Sequence, residues 1–139
     1  GVFPHVALKA QSPLFRGFDD IFYVPHSRYT ENRLEDIQKQ PELEVLAVSE
    51  QAGVFAVKSR DNRRFFITGH PEYDPDTLAL EYFRDVNKGK KIAVPANYFP
   101  DNDPSKKPVV HWRSAAQLFY NNWLNYYVYQ TTPYDIRDI

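Results

Sequence analysis

The sequence predicts an α/β fold in one domain. Three short apolar runs, Leu43 to Val48, Val54 to Val57 and Arg64 to Thr68, are separated by brief polar turns at Gln51-Ala52-Gly53 and Arg60-Asp61-Asn62. That spacing is the signature of a meander of neighbouring strands. Thr77 to Asn87 and Ser114 to about Tyr129 instead carry apolar residues at helical spacing. The length, 139 residues, fits a single domain, and 42% apolar with 16% aromatic residues supplies a bulky core.

Taken in order, Val2 to Leu8 has strand character, and Pro4 points to a sheet edge or a bend. Gln11 to Asp20 reads as a loop around Pro13 and Gly17. Ile21 to Val24 is a short strand that stops at the polar cluster Pro25-His26-Ser27-Arg28-Tyr29. Leu34 to Lys39 forms one or two helical turns ended by Pro41. Arg64 to Thr68 is nearly continuously apolar, which is how a central strand buried on both faces reads. Asp76 is a suitable N-cap for the helix from Thr77 to Asn87, and Gly89 a suitable stop. On that helix Leu80, Phe83 and Asn87 share a face, widened by Leu78, Tyr82 and Val86. Lys88 to Lys91 is a solvated basic end. Pro95 to Pro108 reads as a long ordered loop, because Tyr98 and Phe99 give it something to bury. Ser114 is the expected cap of the last helix. Its Ala115, Leu118, Phe119, Asn122, Trp123, Tyr126 and Tyr127 recur at helical spacing, and Pro133 closes it.

The totals exclude several classes. A formal net charge of −1 without a clustered basic excess argues against a nucleic-acid binder. No apolar run reaches membrane-spanning length and no signal-peptide pattern opens the chain, so a soluble, cytoplasmic protein is expected. With no cysteine there is no disulfide, no thiolate metal site and no cysteine nucleophile in these residues. With no methionine and an apolar start at Gly1, the sequence reads as a piece of a longer chain.

The richest chemistry follows the Arg64 run, where Gly69 breaks the pattern and His70 and Glu72 stand two positions apart. In extended backbone, residues i and i+2 point the same way, so Glu72 can orient His70 as a general base. A core strand followed by an ordinary polar turn gives the same pattern. Ser27 is available as a nucleophile for a Ser27-His70-Glu72 triad, but Pro-His-Ser-Arg-Tyr lacks the small neighbours of a nucleophile elbow, and substrate binding by Ser27 is the better reading. His26, His70 and Glu72 could form a two-histidine, one-carboxylate metal set, although no H-E-x-x-H spacing supports it, and no metal is expected. Arg28 and Arg84 are the arginines placed to face the same cleft and to take a carboxylate, with surface ion pairs as the alternative. His5 and His111 have no evident partners and read as structural.

The chain resembles the C-terminal part of the homoserine O-succinyltransferase and O-acetyltransferase family of methionine biosynthesis. The resemblance runs through Arg16-Gly17-Phe18-Asp19-Asp20, Pro25 to Tyr29, Thr68 to Asp74, Asn97-Tyr98-Phe99-Pro100, Asn122 to Gln130 and Thr132-Pro133-Tyr134-Asp135. It implies the class I glutamine amidotransferase-like fold, a three-layer α/β/α domain of which residues 1–139 are the C-terminal part. It implies transfer of succinyl or acetyl from acyl-CoA to L-homoserine through a cysteine thioester. His70 matches the family's general base and Glu72 its orienting acid, while Ser27 and Arg84 match positions that hold homoserine. No cofactor is implied, since acyl-CoA is a co-substrate. The family's cysteine, and a substrate-binding lysine, lie upstream of Gly1. The implied partners are therefore the cysteine-bearing N-terminal part and a second copy in a homodimer, with neither nucleic acid nor membrane. Ala115 departs from the histidine that relatives often carry there. The resemblance implies no activity for this polypeptide alone. A non-catalytic amino-acid-binding or interaction module built on the same fold is the alternative.

Overall fold

The computed structural model describes residues 1–132 and 137, so Pro133 and the end of the last motif lie outside the described residues. Five strands, β1 (Val2–Ala7), β2 (Phe22–Pro25), β3 (Leu43–Ser49), β4 (Gly53–Ser59) and β5 (Phe65–Ile67), form one sheet in the order β2-β1-β3-β4-β5. Every pairing is antiparallel. The helices are α1 (Leu34–Gln38), α2 (Thr77–Asn87) and α3 (Arg113–Trp123), and α3 continues as a π turn over Leu124–Val128.

The meander β3-β4-β5 stands where the sequence places it, but burial is distributed differently. The strand buried on both faces is β4, where Val54 to Ser59 are all buried. β5 lies at the sheet edge and leaves Phe66 47% exposed. Flanked on one side only, β5 has no neighbour to shelter that ring. Pro4 also departs from expectation, since β1 lies inside the sheet. Val2 to His5 pair with β2, whereas only Val6 and Ala7 pair with β3. At Pro4 the ladder therefore runs along one edge, and a residue without an N–H is tolerated there.

Alternation along β2 divides the core in two. Phe22 and Val24 face Leu14, Phe15 and Phe119, so α3 and the 3₁₀ turn at Pro13–Phe15 cover that side. Asn122 of α3 fixes the contact by donating from Nδ2 to the carbonyls of Leu14 and Arg16, at 3.0 and 2.9 Å. Tyr23 and Val2 face Leu78, Tyr98, Phe99 and Trp112, which brings α2 and the 94–112 loop onto the other side. Layers on both faces of a sheet match the expected α/β/α architecture.

α2 has the expected bounds, and Gly89 just beyond it takes φ +74°. Its packed side differs from the apolar stripe in the sequence: Leu80, Phe83 and Val86 are exposed, while Leu78 and Asp85 are buried. α3 begins at Arg113, one residue before the expected Ser114 cap, and has no side-chain cap. Asp76 precedes α2 but makes no capping hydrogen bond either. The buried Tyr98 replaces it. Its hydroxyl accepts from the Ala79 amide at 3.2 Å and donates to the Pro75 carbonyl at 2.6 Å. The first helical amides have no intrahelical partner, so this hydroxyl supplies one from the long loop.

Tyr98→Phe leaves a donor and an acceptor unpaired at the start of α2. We expect it to lower the unfolding free energy by about 1–3 kcal/mol, measured by urea denaturation. An unchanged midpoint and slope would show that water replaces the hydroxyl.

Candidate active site

β2 and β5 stand at opposite ends of the strand order, yet the segments that follow them touch. The His70 amide donates to the Pro25 carbonyl at 2.7 Å. Gly69 packs so closely that a Cβ there would lie 2.7 Å from Val24 Cγ1 and 2.9 Å from His26 Nε2. Arg28 adds hydrogen bonds to the Thr68 carbonyl at 3.5 Å and to the Ala52 carbonyl. The sheet curls until its two ends meet, and the Ser27 loop meets the His70 turn there.

The expected pair forms. His70 Nδ1 lies 2.9 Å from Glu72 Oε1. With Nδ1–H donated to the carboxylate, Nε2 is left as the basic nitrogen. Burial, then the nearby Glu72 carboxylate, raise the Tyr120 phenol of α3. The His70 ring stacks on Tyr73, with centroids 4.4 Å apart and planes 16° from parallel.

Ser27 and Arg84 come together in the wall of a cavity of about 280 Å³, with Tyr29, Glu81, Asp85 and Lys90 beside them. His70 and Glu72 are not in that wall. Tyr73 joins the two halves: its ring lies on His70, and its hydroxyl donates to Glu81 Oε1 at 3.0 Å. Burial, then Glu81, push the Tyr73 phenol up to about 12, so it remains a donor. Glu81 Oε2 is buried with no hydrogen-bond partner among the described residues. Tyr73 and Glu81 were not singled out in the sequence. Glu81 recurs at helical spacing with the buried Leu78 and Asp85, a signal that becomes visible only once that face of α2 is known to be packed.

The same geometry bears on the other readings of the sequence. Ser27 lines the cavity while His70 and Glu72 do not, and among the described residues no hydrogen bond joins Ser27 to His70. Arg28 lines the same cavity as Arg84, as expected, and its guanidinium also donates to the Thr68 and Ala52 carbonyls. His26 does not join His70 and Glu72 around a metal, because its Nε2 lies 3.0 Å from His5 Nε2. Among the described residues no group of three or more His, Cys, Asp or Glu side chains is arranged to hold a metal ion. His5 Nδ1 donates to the Phe3 carbonyl at 2.8 Å, so its Nε2 must accept from His26. The two rings stack 5.0 Å apart and are 1% and 5% exposed. Burial holds both neutral, His5 at about 4 and His26 at about 3, with the neighbouring His5 adding to the effect on His26. His111 packs edge-on against Tyr23 at 4.5 Å. His5 is part of the buried stack, as a structural residue is expected to be, and Ala115 packs against the α3-side core.

The comparisons with known proteins agree with these motifs. A family model described as homoserine O-succinyltransferase matches residues 1–134. The chain belongs to the homoserine O-succinyltransferase family. It is 60% identical over 138 residues to a protein of Brevibacillus brevis named homoserine O-acetyltransferase, covering 99% of this chain and 45% of that one. It is 58% identical to a protein of the same name from Thermotoga neapolitana, covering 100% of this chain and 45% of the relative. The chain therefore spans about half the length of the curated relatives it matches. Among solved structures, that of SMU.1228c superposes with a TM-score of 0.59 at 17% identity, over 88% of this chain and 49% of the other, which supports the α/β fold of the family. Among the described residues no helix is long and apolar enough to cross a membrane.

Two outcomes test this geometry. Gly69→Ala forces a methyl against Val24 and His26, and should lower the unfolding free energy by about 1–3 kcal/mol in denaturant titrations. A neutral result would mean that the sheet ends are not in tight contact. The histidine pair sets a pH dependence. Both folded values lie below the usual 6.5, so their contribution to stability is complete above that pH and is lost as pH falls towards about 4 and about 3. Between pH 6.5 and 5 each histidine should remove up to about 1.4 kcal/mol per pH unit. A flat stability profile in that window would contradict two buried neutral rings.

Proposed function

We propose that this chain is the C-terminal part of a homoserine O-acyltransferase and contributes its base and its amino-acid site. The observation that carries this reading is the oriented His70–Glu72 pair, joined through Tyr73 to a small cavity with complementary charges. Membership in the family supports it.

In the proposed reaction, a cysteine thiol outside these 139 residues is the nucleophile. His70 Nε2 takes the thiol proton, the thiolate attacks the acyl-CoA carbonyl, and the proton leaves with CoA. An acyl-enzyme thioester remains. His70 then takes the proton of the homoserine hydroxyl, the alkoxide attacks the thioester, and the cysteine thiolate is released and reprotonated. Glu72 holds the imidazole tautomer and stabilises the imidazolium in both halves. The amino acid arrives as a zwitterion. Arg84 supplies its terminal guanidinium nitrogens to the carboxylate, and the unpartnered Glu81 Oε2 takes the ammonium. Ser27 positions the substrate from the opposite wall. The names of the relatives favour acetyl-CoA as donor. No further cofactor enters this chemistry. A cytoplasmic location and a homodimer of the whole enzyme belong to the same proposal, as does inactivity of this chain without the cysteine-bearing part.

The experiment uses the whole enzyme with the upstream part present. His70→Ala should slow cysteine acylation by acyl-CoA about 10²–10⁴-fold, followed by intact mass. Arg84→Ala should raise the homoserine KM and leave that acylation unchanged. Wild-type acylation in His70→Ala, or turnover by the 139-residue chain alone, would sink the reading.

A further inference from the structure

Arg84 sits on an exposed position of α2, with a side chain 54% exposed, whereas Asp85 beside it is 7% exposed and lines the cavity. Successive residues on a helix project about 100° apart. An arginine at position 84 is therefore free to extend into solvent, away from the cavity. It does not, because its Nε donates to Asp85 Oδ1 at 3.0 Å. We infer that Asp85 is a positioning residue for Arg84, holding the guanidinium by its inner edge so that its outer edge faces the carboxylate of the amino-acid substrate. This inference rests on the amino-acid site proposed above.

The hydrogen-bonding arithmetic supports it. A guanidinium has five N–H donors in a planar fork. The bond to Asp85 uses Nε, and among the described residues the two terminal nitrogens make no protein hydrogen bond. One edge is therefore spent on the protein and the other is free for a ligand. Asp85 is also held from two further directions. Lys90 Nζ lies 3.3 Å from Oδ1, and the Tyr29 hydroxyl donates to Oδ2 at 3.4 Å. Hydrogen bonds from Arg84 and Lys90 hold the Asp85 carboxyl down at about 2, so it remains charged across the working range. Tyr29 belongs to the segment that carries Ser27, so Asp85 links the two walls of the cavity. Glu81 and Asp85 share the cavity with Arg28, Arg84 and Lys90, so it offers groups of both signs, as a zwitterionic ligand requires.

The test measures two quantities in the whole enzyme: the homoserine KM, and the rate of cysteine acylation by acyl-CoA, which needs no homoserine. Asp85→Leu fills the buried site without an acceptor and should raise the KM about tenfold or more with the acylation rate unchanged. Asp85→Asn keeps one acceptor for Nε and should recover part of that loss. In an Arg84→Ala background Asp85→Leu should add nothing further. Arg84→Lys decides the matter even if the Asp85 variants do not fold. An ammonium is one point of charge with no second planar edge, so when held at Asp85 it cannot present a bidentate pair to the ligand, and Arg84→Lys should lose nearly as much as Arg84→Ala. A KM within twofold of wild type for Asp85→Leu or Arg84→Lys, while Arg84→Ala raises it, overturns the positioning role and spares the amino-acid site. A fall in acylation that parallels the KM change overturns it as well, since that is a general structural loss. An unchanged KM in Arg84→Ala removes the amino-acid site and this inference with it.

Discussion

The closure of the curled sheet at Gly69 is the constraint on which the site depends. Four inter-strand spacings separate β2 from β5, about 19 Å in a flat sheet. Ser27 and His70 would stand at opposite edges of such a sheet. Strand twist and the register shifts between Val45 and Val48 of β3 bend it instead, so that Pro25 and His70 share a hydrogen bond. Only a residue without a side chain can occupy the point of contact, because Val24 and His26 already fill the space a Cβ would need. The His5–His26 stack lies directly behind that contact and gives it a rigid wall.

Local signals in the sequence were enough to find the elements but not to rank them. The short polar turns identify the β3-β4-β5 meander, and the periodicity with Gly89 marks α2 to the residue. Which strand is central depends on how many neighbours it has, and that is a property of the whole sheet. Thus Phe65-Phe66-Ile67 looks like a core strand and is an edge, while Val54 to Ser59, with a lysine and a serine in it, is the buried one. The same limit applies to α2. Its most apolar stripe is exposed, and its packed side carries Glu81, Tyr82 and Asp85. Periodicity reports that a helix has faces, and packing decides which one is turned inward.

For the site, residues close in sequence were legible and those related through α2 were not. His70 and Glu72 are fixed by two-residue alternation, so their pairing follows from extended backbone alone. Ser27, Arg28 and Arg84 share a cavity as expected, although spacing cannot show that Arg28 also donates to backbone carbonyls. Tyr73, Glu81 and Asp85 acquire their roles only when the 94–112 loop presses α2 against the sheet. Trp112 packs beside Leu78 of α2 and ties the loop to the turn before it, donating from Nε1 to the Tyr73 carbonyl at 3.0 Å.

The polar inner face of α2 carries an energetic penalty that other parts of the structure offset. A buried carboxylate oxygen without a partner costs about 1–3 kcal/mol, and Glu81 Oε2 is in that position. An apolar residue at 81 would pack more favourably and would remove the negative charge from the cavity. The helix is retained by contacts outside the cavity: the Tyr98 hydroxyl at its first turn, Leu78 in the core and the Trp112 bond behind it. None of these contacts uses the terminal nitrogens of Arg84 or the second oxygen of Glu81. A zwitterion would satisfy both at once. On this view α2 is anchored from behind so that its least stable groups remain available at the front, and ligand binding should stabilise the fold where the free protein is weakest.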